Sequence, residues 1–200
     1  MRGACFFSRR DYMTIEIEKL DTLYKGWNSF ALATIRLGNG QRITRMIEDH
    51  GPAACVLAYD PARRVAMLVR QFRAPVFLTT GAPDLLEAVA GLIEDDDGAA
   101  CARREAMEEA GLKLQTLEPV ATVWSIPGSS TEHIDLFLAP YGEVDRVGEG
   151  GGLAHEHENI VVLELPLAEL ARMADAGEIA DLKTLALVQT LRLRRPELFA

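Results

Sequence analysis

The sequence predicts an α+β protein, a mixed β-sheet layered between helices (α/β/α), preceded by a small antiparallel sheet. Three observations predict it. Strand-length apolar runs recur between Ala53 and Pro166, a helix-length charged segment interrupts them after Asp97, and two amphipathic segments close the chain. Two hundred residues that are 48% hydrophobic can bury one sizeable core.

The elements follow in order. Residues 1–12 hold arginines and only a short apolar patch, which predicts a disordered start and no secretory signal, with Met13 a plausible alternative start. Residues 13–50 read as a small N-terminal sheet. "TIEIEKL" alternates apolar and polar residues, and "SFALATIRL" and "QRITRMIED" flank "GNG", whose residues tolerate the positive φ of a hairpin turn. The main domain, 51–200, begins with "AACVLAYD" and "RVAMLVRQF", two apolar strands around the turn "DPAR". "DLLEAVAG" reads as one further strand. The acidic helix comes next, then the strands "LEPVATVWSI" and "HIDLFLAPY" around the loop "PGSST". "GEVDRVGEGGGLAHEHEN" is too polar to pack and too long to be a mere connector, which predicts a functional or mobile loop. "IVVLELP" is the last strand. "PLAELARMADAG" has proline suited to a helix start and glycine to its end, and "LKTLALVQTLRLRR" places arginines in a final helical turn.

Composition narrows the function. A net charge of -9 gives no counterion-release affinity for nucleic acid, so no nucleic-acid partner is expected. No apolar run approaches the roughly 20 residues of a membrane span, so no membrane partner is expected either. Cys5, Cys55 and Cys101 form no CxxC pair and read as reduced thiols of a cytoplasmic protein.

The chemistry concentrates in "GLIEDDDGAACARREAMEEAGL", residues 91–112. A helix starting after Asp97 would be capped by a carboxylate and would end at Gly111. Glu105, Glu108 and Glu109 stand at i, i+3 and i+4, on one face and one turn apart. A solvated acidic face explains such a pattern. So does a site for a hard divalent cation such as Mg²⁺, which takes oxygen ligands. Ala99, Ala102, Ala106 and Ala110 give the same helix a small face able to lie close to a sheet.

Gly91, Arg104-Glu105 and Glu108-Glu109-x-Gly111-Leu112 together resemble the Nudix box, G-x5-E-x7-R-E-U-x-E-E-x-G-U, with U a bulky aliphatic residue. The stretch departs from the pattern in its loop half. Gly91 to Arg104 is one residue short, Asp97 stands near the place of the first glutamate, and Ala106 is smaller than usual. "LVRQFR", "PGSSTEHIDLFLA", the GGG loop, "LELP" and "GEIADLKTL" extend the likeness to the sugar-nucleotide branch of the family. That branch includes hydrolases of ADP-ribose and of GDP-mannose, and the short box, the GGG loop and "GEIADLKT" make the chain most similar to the latter.

The resemblance implies a Nudix fold and Mg²⁺-dependent (or Mn²⁺-dependent) hydrolysis of a nucleoside diphosphate sugar. GDP-mannose would give GMP and mannose 1-phosphate; ADP-ribose, giving AMP and ribose 5-phosphate, is the alternative. A catalytically silent nucleotide-sugar sensor is an alternative of another class. By the same resemblance, Glu105, Glu109 and the Ala90 carbonyl would be metal ligands, Glu108 a further ligand or a supporting carboxylate, and Arg104 would hold the box by pairing with acidic neighbours. Substrate positions would be Trp27 and Arg45 in the N-terminal sheet, and Arg73, Ala90, Gly91, Leu92, Glu132 and Lys183 in the main domain. Glu158 would be the general base and a metal ligand, with Glu156 its rival on the same loop. His155 and His157 more readily tune that loop than bind zinc. The N-terminal sheet would bind the base and pair across a homodimer, the alternative being a monomer.

Overall fold

The computed structural model describes residues 15–94, 97–152 and 159–200. Expectations that fall on 1–14 and 153–158, among them those for Cys5, Met13, His155, Glu156, His157 and Glu158, lie outside the described residues. Two compact units divide the chain: the described residues up to His50 with Ile126–Thr131, and Gly51–Ser125 with Glu132–Ala200.

The first unit is an antiparallel sheet, β1 (Glu16–Lys25), β2 (Ser29–Arg36) and β3 (Arg42–Asp49), in that order. The GNG turn joins β2 to β3 with Gly40 at φ 81°, where only glycine is unstrained. Ala31 and Ala33 of the central strand are buried, whereas Ile17, Leu20 and Leu23 of β1 are exposed. The segment Ile126–Thr131 adds on through Glu48 N–H to Ser129 O, 2.8 Å, and Thr131 N–H to Glu48 O, 2.9 Å.

In the second unit, β4 (Ala53–Asp60) and β5 (Val65–Gln71) lead into a short helix α1 (Ala74–Thr80). Then come β6 (Leu85–Glu87), β7 (Val89–Leu92), the acidic helix α2 (Gly98–Ala110), β8 (Glu118–Trp124), β9 (His133–Pro140) and β10 (Val161–Pro166). Helices α3 (Leu167–Asp175) and α4 (Leu182–Arg194) end the series. The sheet runs β10-β5-β4-β9-β8, with β6 beside β5 and β7 beside β4. β4 and β9 are parallel and the other pairs antiparallel.

Every residue of β4 is buried, as a central strand covered on both faces requires. Its odd positions Cys55, Leu57 and Tyr59 pack with Leu170, Leu187 and Leu191 of α3 and α4. Its even positions Ala54, Val56 and Ala58 pack with Cys101, Ala102, Ala106 and Ala110 of α2. The sheet therefore lies between helical layers, the α/β/α arrangement expected, and the alanine face of α2 is what lets that helix approach the sheet.

Three details differ from the sequence reading. Helix α1 was not anticipated, because its seven residues hold two β-branched threonines and bury nothing. "DLLEAVAG" is two strands rather than one. At Ala88 the chain leaves β5 and joins β4, and its buried N–H is taken by Thr184 Oγ1 at 2.7 Å instead of by a neighbouring strand. Finally, the described part of the Gly-rich loop does pack. It contains a 3-10 turn, Glu143–Asp145, and its backbone bonds to the end of α2.

Candidate active site

Helix α2 is placed by its two ends. Asp97 caps the start, its carboxylate accepting the Ala100 N–H at 2.8 Å, a contact worth about 1 kcal/mol. At the other end Gly111 is left-handed, φ 65°. Gly111 N–H bonds to Met107 O at 3.1 Å, the bond of an αL cap, and Leu112 N–H reaches Ala106 O at 2.9 Å. The next two carbonyls would be left open by that cap. The GGG loop takes both: Gly152 N–H donates to Glu108 O at 3.1 Å and Gly151 N–H to Glu109 O at 2.8 Å. The loop leading to residues 153–158 is thus bonded to the backbone of two of the predicted metal ligands.

The side of α2 facing β7 is stitched to residues 90–92. Arg104 Nη2 donates to Leu92 O at 3.0 Å, the Cys101 thiol to the same carbonyl at 3.2 Å, and Ala90 N–H to Glu109 Oε2 at 3.4 Å. Gly91 leaves room for the Glu105 carboxylate, which a Cβ there would push aside. Arg104 Nη1 lies 2.7 Å from Glu105 Oε1 and 3.2 Å from Glu108 Oε2. The repulsion expected between these carboxylates is therefore partly relieved by an arginine of the same helix.

Glu109 is almost wholly buried, and Glu105 and Glu108 are half-buried. Among the described residues no three acidic, His or Cys side chains surround one point as metal ligands would. The donors nonetheless suit a hard divalent ion. Three carboxylates share one helical turn and the nearest, Glu105, is pressed against the backbone of Gly91. Glu105, Glu108, Glu109 and the Ala90 carbonyl are the groups able to hold one.

Arg73 and Lys183, separately predicted to bind substrate, meet on a third residue. Glu87 is 1% exposed. Arg73 grips it side-on, Nε to Oε1 at 2.7 Å and Nη2 to Oε2 at 3.0 Å, and Lys183 Nζ bonds to Oε2 as well. Lys183 also reaches Asp181 Oδ1 at 2.9 Å, and Asp181 caps α4 through Thr184 N at 2.9 Å. Burial alone would raise the Glu87 pKa, but the Arg73 hydrogen bonds and the Lys183 and Arg73 charges outweigh it and hold the group ionised below its usual range. Burial would likewise lower Lys183, yet the Glu87 and Asp181 charges keep it firmly protonated.

Glu132 is half-buried, and its carbonyl accepts the Ser125 N–H. In the N-terminal unit, described by itself, Trp27 is 76% exposed and stacks on His50 with ring centroids 5.4 Å apart and planes 14° apart. His50 Nδ1 is 2.7 Å from Glu48 Oε1. Arg45 is exposed, its Nη1 on the Thr44 carbonyl at 2.8 Å.

The sequence reading passed over Glu87, Asp181, Thr184 and His50. Two signals were there to be used. Glu87 is the lone charge in the apolar run "LLEAVAG", and Asp181 followed three residues later by Thr184 has the spacing of a helix cap.

A family model described as the NUDIX domain matches residues 49–188. The chain belongs to the Nudix family. Curated relatives cover most of this Nudix chain. A GDP-mannose pyrophosphatase of Cronobacter sakazakii is 38% identical over 190 residues, 91% of this chain and 98% of that protein. Another GDP-mannose pyrophosphatase, from Salmonella arizonae, is 38% identical over 80% of this chain and 83% of its own length. A third, from an Enterobacter species, is 34% identical over 90% and 97%. Among the described residues no helix is long and apolar enough to cross a membrane.

Proposed function

We propose that this Nudix protein hydrolyses the pyrophosphate of nucleoside diphosphate sugars, with GDP-mannose its substrate and GMP and mannose 1-phosphate its products. The observation that carries the reading is the intact carboxylate turn of the box, Glu105, Glu108 and Glu109, in a chain whose near-full-length relatives are named for this activity. A silent sensor has no need of three ionisable carboxylates packed against a strand.

In this reading Glu105, Glu108, Glu109 and the Ala90 carbonyl hold Mg²⁺, for which Mn²⁺ substitutes. The ion supplies, when bound, charge neutralisation on the pyrophosphate and acidification of the attacking water. Arg104 keeps Glu105 and Glu108 from relaxing apart. Arg73 and Lys183 each bind a phosphate oxygen, an arrangement suited to two adjacent phosphates. Gly91 and Leu92 offer backbone groups to the same ligand, and Glu132 accepts from a sugar hydroxyl. Glu158, or else Glu156, takes the proton of the attacking water. In the N-terminal unit, Trp27 stacks on the base and Arg45 pairs with the nucleotide. The sheet carrying them joins a second copy in a cytoplasmic homodimer.

The test is a product assay by chromatography. Protein with Mg²⁺ is offered GDP-mannose, ADP-ribose, ADP-glucose and NADH in parallel. GMP forming fastest is the expected result. AMP forming fastest from ADP-ribose would keep the reaction and replace the substrate, and no product from any of the four would end the hydrolase reading.

A further inference from the structure

We infer that Glu87 is a positioning residue, the buried anchor that aims Arg73 and Lys183 at the diphosphate; this rests on the reading of those two cations as phosphate-binding.

The geometry assigns the role by counting donors. Arg73 spends Nε and Nη2 on Glu87 and keeps Nη1, and its side chain is still 40% exposed. Lys183 has three N–H groups. Two go to Glu87 and Asp181, and its side chain is 14% exposed. Lys183 thus keeps one N–H for a ligand, Arg73 keeps both N–H groups of Nη1 and one of Nη2, and both side chains are held from the same carboxylate. Long basic side chains ordinarily lose rotamer entropy when they bind an anion. Here that freedom is already gone before the ligand arrives.

The anchor is itself fixed. Glu87 ends β6, and the next residue, Ala88, is bonded by its N–H to Thr184 Oγ1, which in turn donates to Asp181 Oδ2 at 2.5 Å. Asp181 is the N-cap of α4, and Lys183 and Thr184 lie in its first turn. One short network therefore ties the switch from β6 to β7 to the start of α4 and holds both cations. β7 carries Ala90, Gly91 and Leu92, so the elements that place the cations are continuous with the strand that faces the box carboxylates.

A carboxylate that merely neutralises buried charge would make the same contacts without aiming either cation. The two roles separate in a double-mutant cycle. Glu87→Gln should raise KM for the nucleoside diphosphate sugar at least about tenfold with a smaller change in kcat, while costing less than about threefold when Arg73 and Lys183 are already alanine. Equal effects in both backgrounds, or an unchanged KM in folded protein, would overturn the inference.

A second readout needs no substrate. Lys183 in ligand-free protein is treated with an amine-acylating reagent and its modification followed by peptide mass spectrometry. Glu87→Gln should accelerate modification of Lys183 at least about tenfold, because the amine loses both its anchor and a charge that keeps it protonated. An unchanged rate would overturn the anchoring. If Glu87→Gln does not fold, Glu87→Asp, which keeps the charge and shortens the reach, should still raise both KM and the acylation rate. A wild-type protein that cleaves no nucleoside diphosphate sugar would overturn the proposed function and the ligand half of this inference, and the acylation result would still decide whether Glu87 holds Lys183.

Discussion

Substituting Gly150 by alanine should detach the GGG loop from the box helix. Gly150 has φ 72°, a conformation that costs an L-residue about 1–2 kcal/mol. Its new Cβ would also overlap the Glu109 carbonyl oxygen and lie 2.7 Å from Ala110 Cα. Neither atom can yield, since both are backbone of a capped helix. The loop must therefore lift, giving up Gly151 N–H to Glu109 O and Gly152 N–H to Glu108 O, each worth about 1 kcal/mol net. The expected loss is about 2 kcal/mol, the worth of those two bonds, since a lifted loop no longer bears the strain. Urea unfolding would measure it, alongside turnover under saturating Mg²⁺. Gly148→Ala is the control, because a Cβ there meets only Gly111 Cα at 3.6 Å and should change stability by no more than about 0.5 kcal/mol. A Gly150→Ala protein as stable as that control would refute the reasoning.

Further outcomes follow from the other contacts. Glu109→Gln should cut Mg²⁺-dependent turnover by at least about a hundredfold with the fold retained by circular dichroism; unchanged turnover would remove Glu109 from the chemistry. Glu158→Gln should slow the reaction far more than Glu156→Gln, and the reverse order in the same assay would exchange their roles. Thr184→Val leaves the buried Ala88 N–H without its acceptor and should cost about 1–3 kcal/mol in urea unfolding. Because the folded-state pKa of Glu87 is lowered, its contribution to stability is fully present above the ordinary glutamate value of about 4.3 and is lost as pH falls from there through the lowered one. Acid unfolding of Glu87→Gln should accordingly show a shallower dependence on pH in that range than wild type.

Much of this architecture was legible because it follows from local rules. Asp97 and Gly111 bound α2 as a carboxylate cap and a left-handed glycine should, and the unbroken apolar run of β4 announced a strand covered on both sides. Glu105, Glu108 and Glu109 were legible for the same reason, since helical spacing alone puts them on one face. What was not legible depends on partners distant in sequence. The break at Ala88 is decided by Thr184, ninety-six positions on, and no pattern within "DLLEAVAG" contains it. The Gly-rich loop looked too polar to pack because its partners are carbonyl groups at a helix end, and backbone bonding leaves little trace in side-chain composition. Arg73 and Lys183 are each legible alone, but the residue that joins them is not, as a buried glutamate contradicts the preference that makes apolar runs readable.

The parallel pairing of β4 with β9 joins Ala53 to Ile134 and Tyr59 to Pro140, segments roughly eighty residues apart, and such distant pairings slow folding. Phe137 and Ala139 of β9 belong to the apolar cluster beneath α2. The box helix can form its own turns early, yet its bed is unfinished until the chain beyond it has been made and β9 has threaded in beside β4. During synthesis the acidic turn therefore emerges before β9, and in the interval the alanine face of α2 has only β4, β5 and β7 to pack on. Until β9 arrives, the edge of β4 that it will fill is unpaired, and unpaired strand edges of incomplete chains are prone to wrong association.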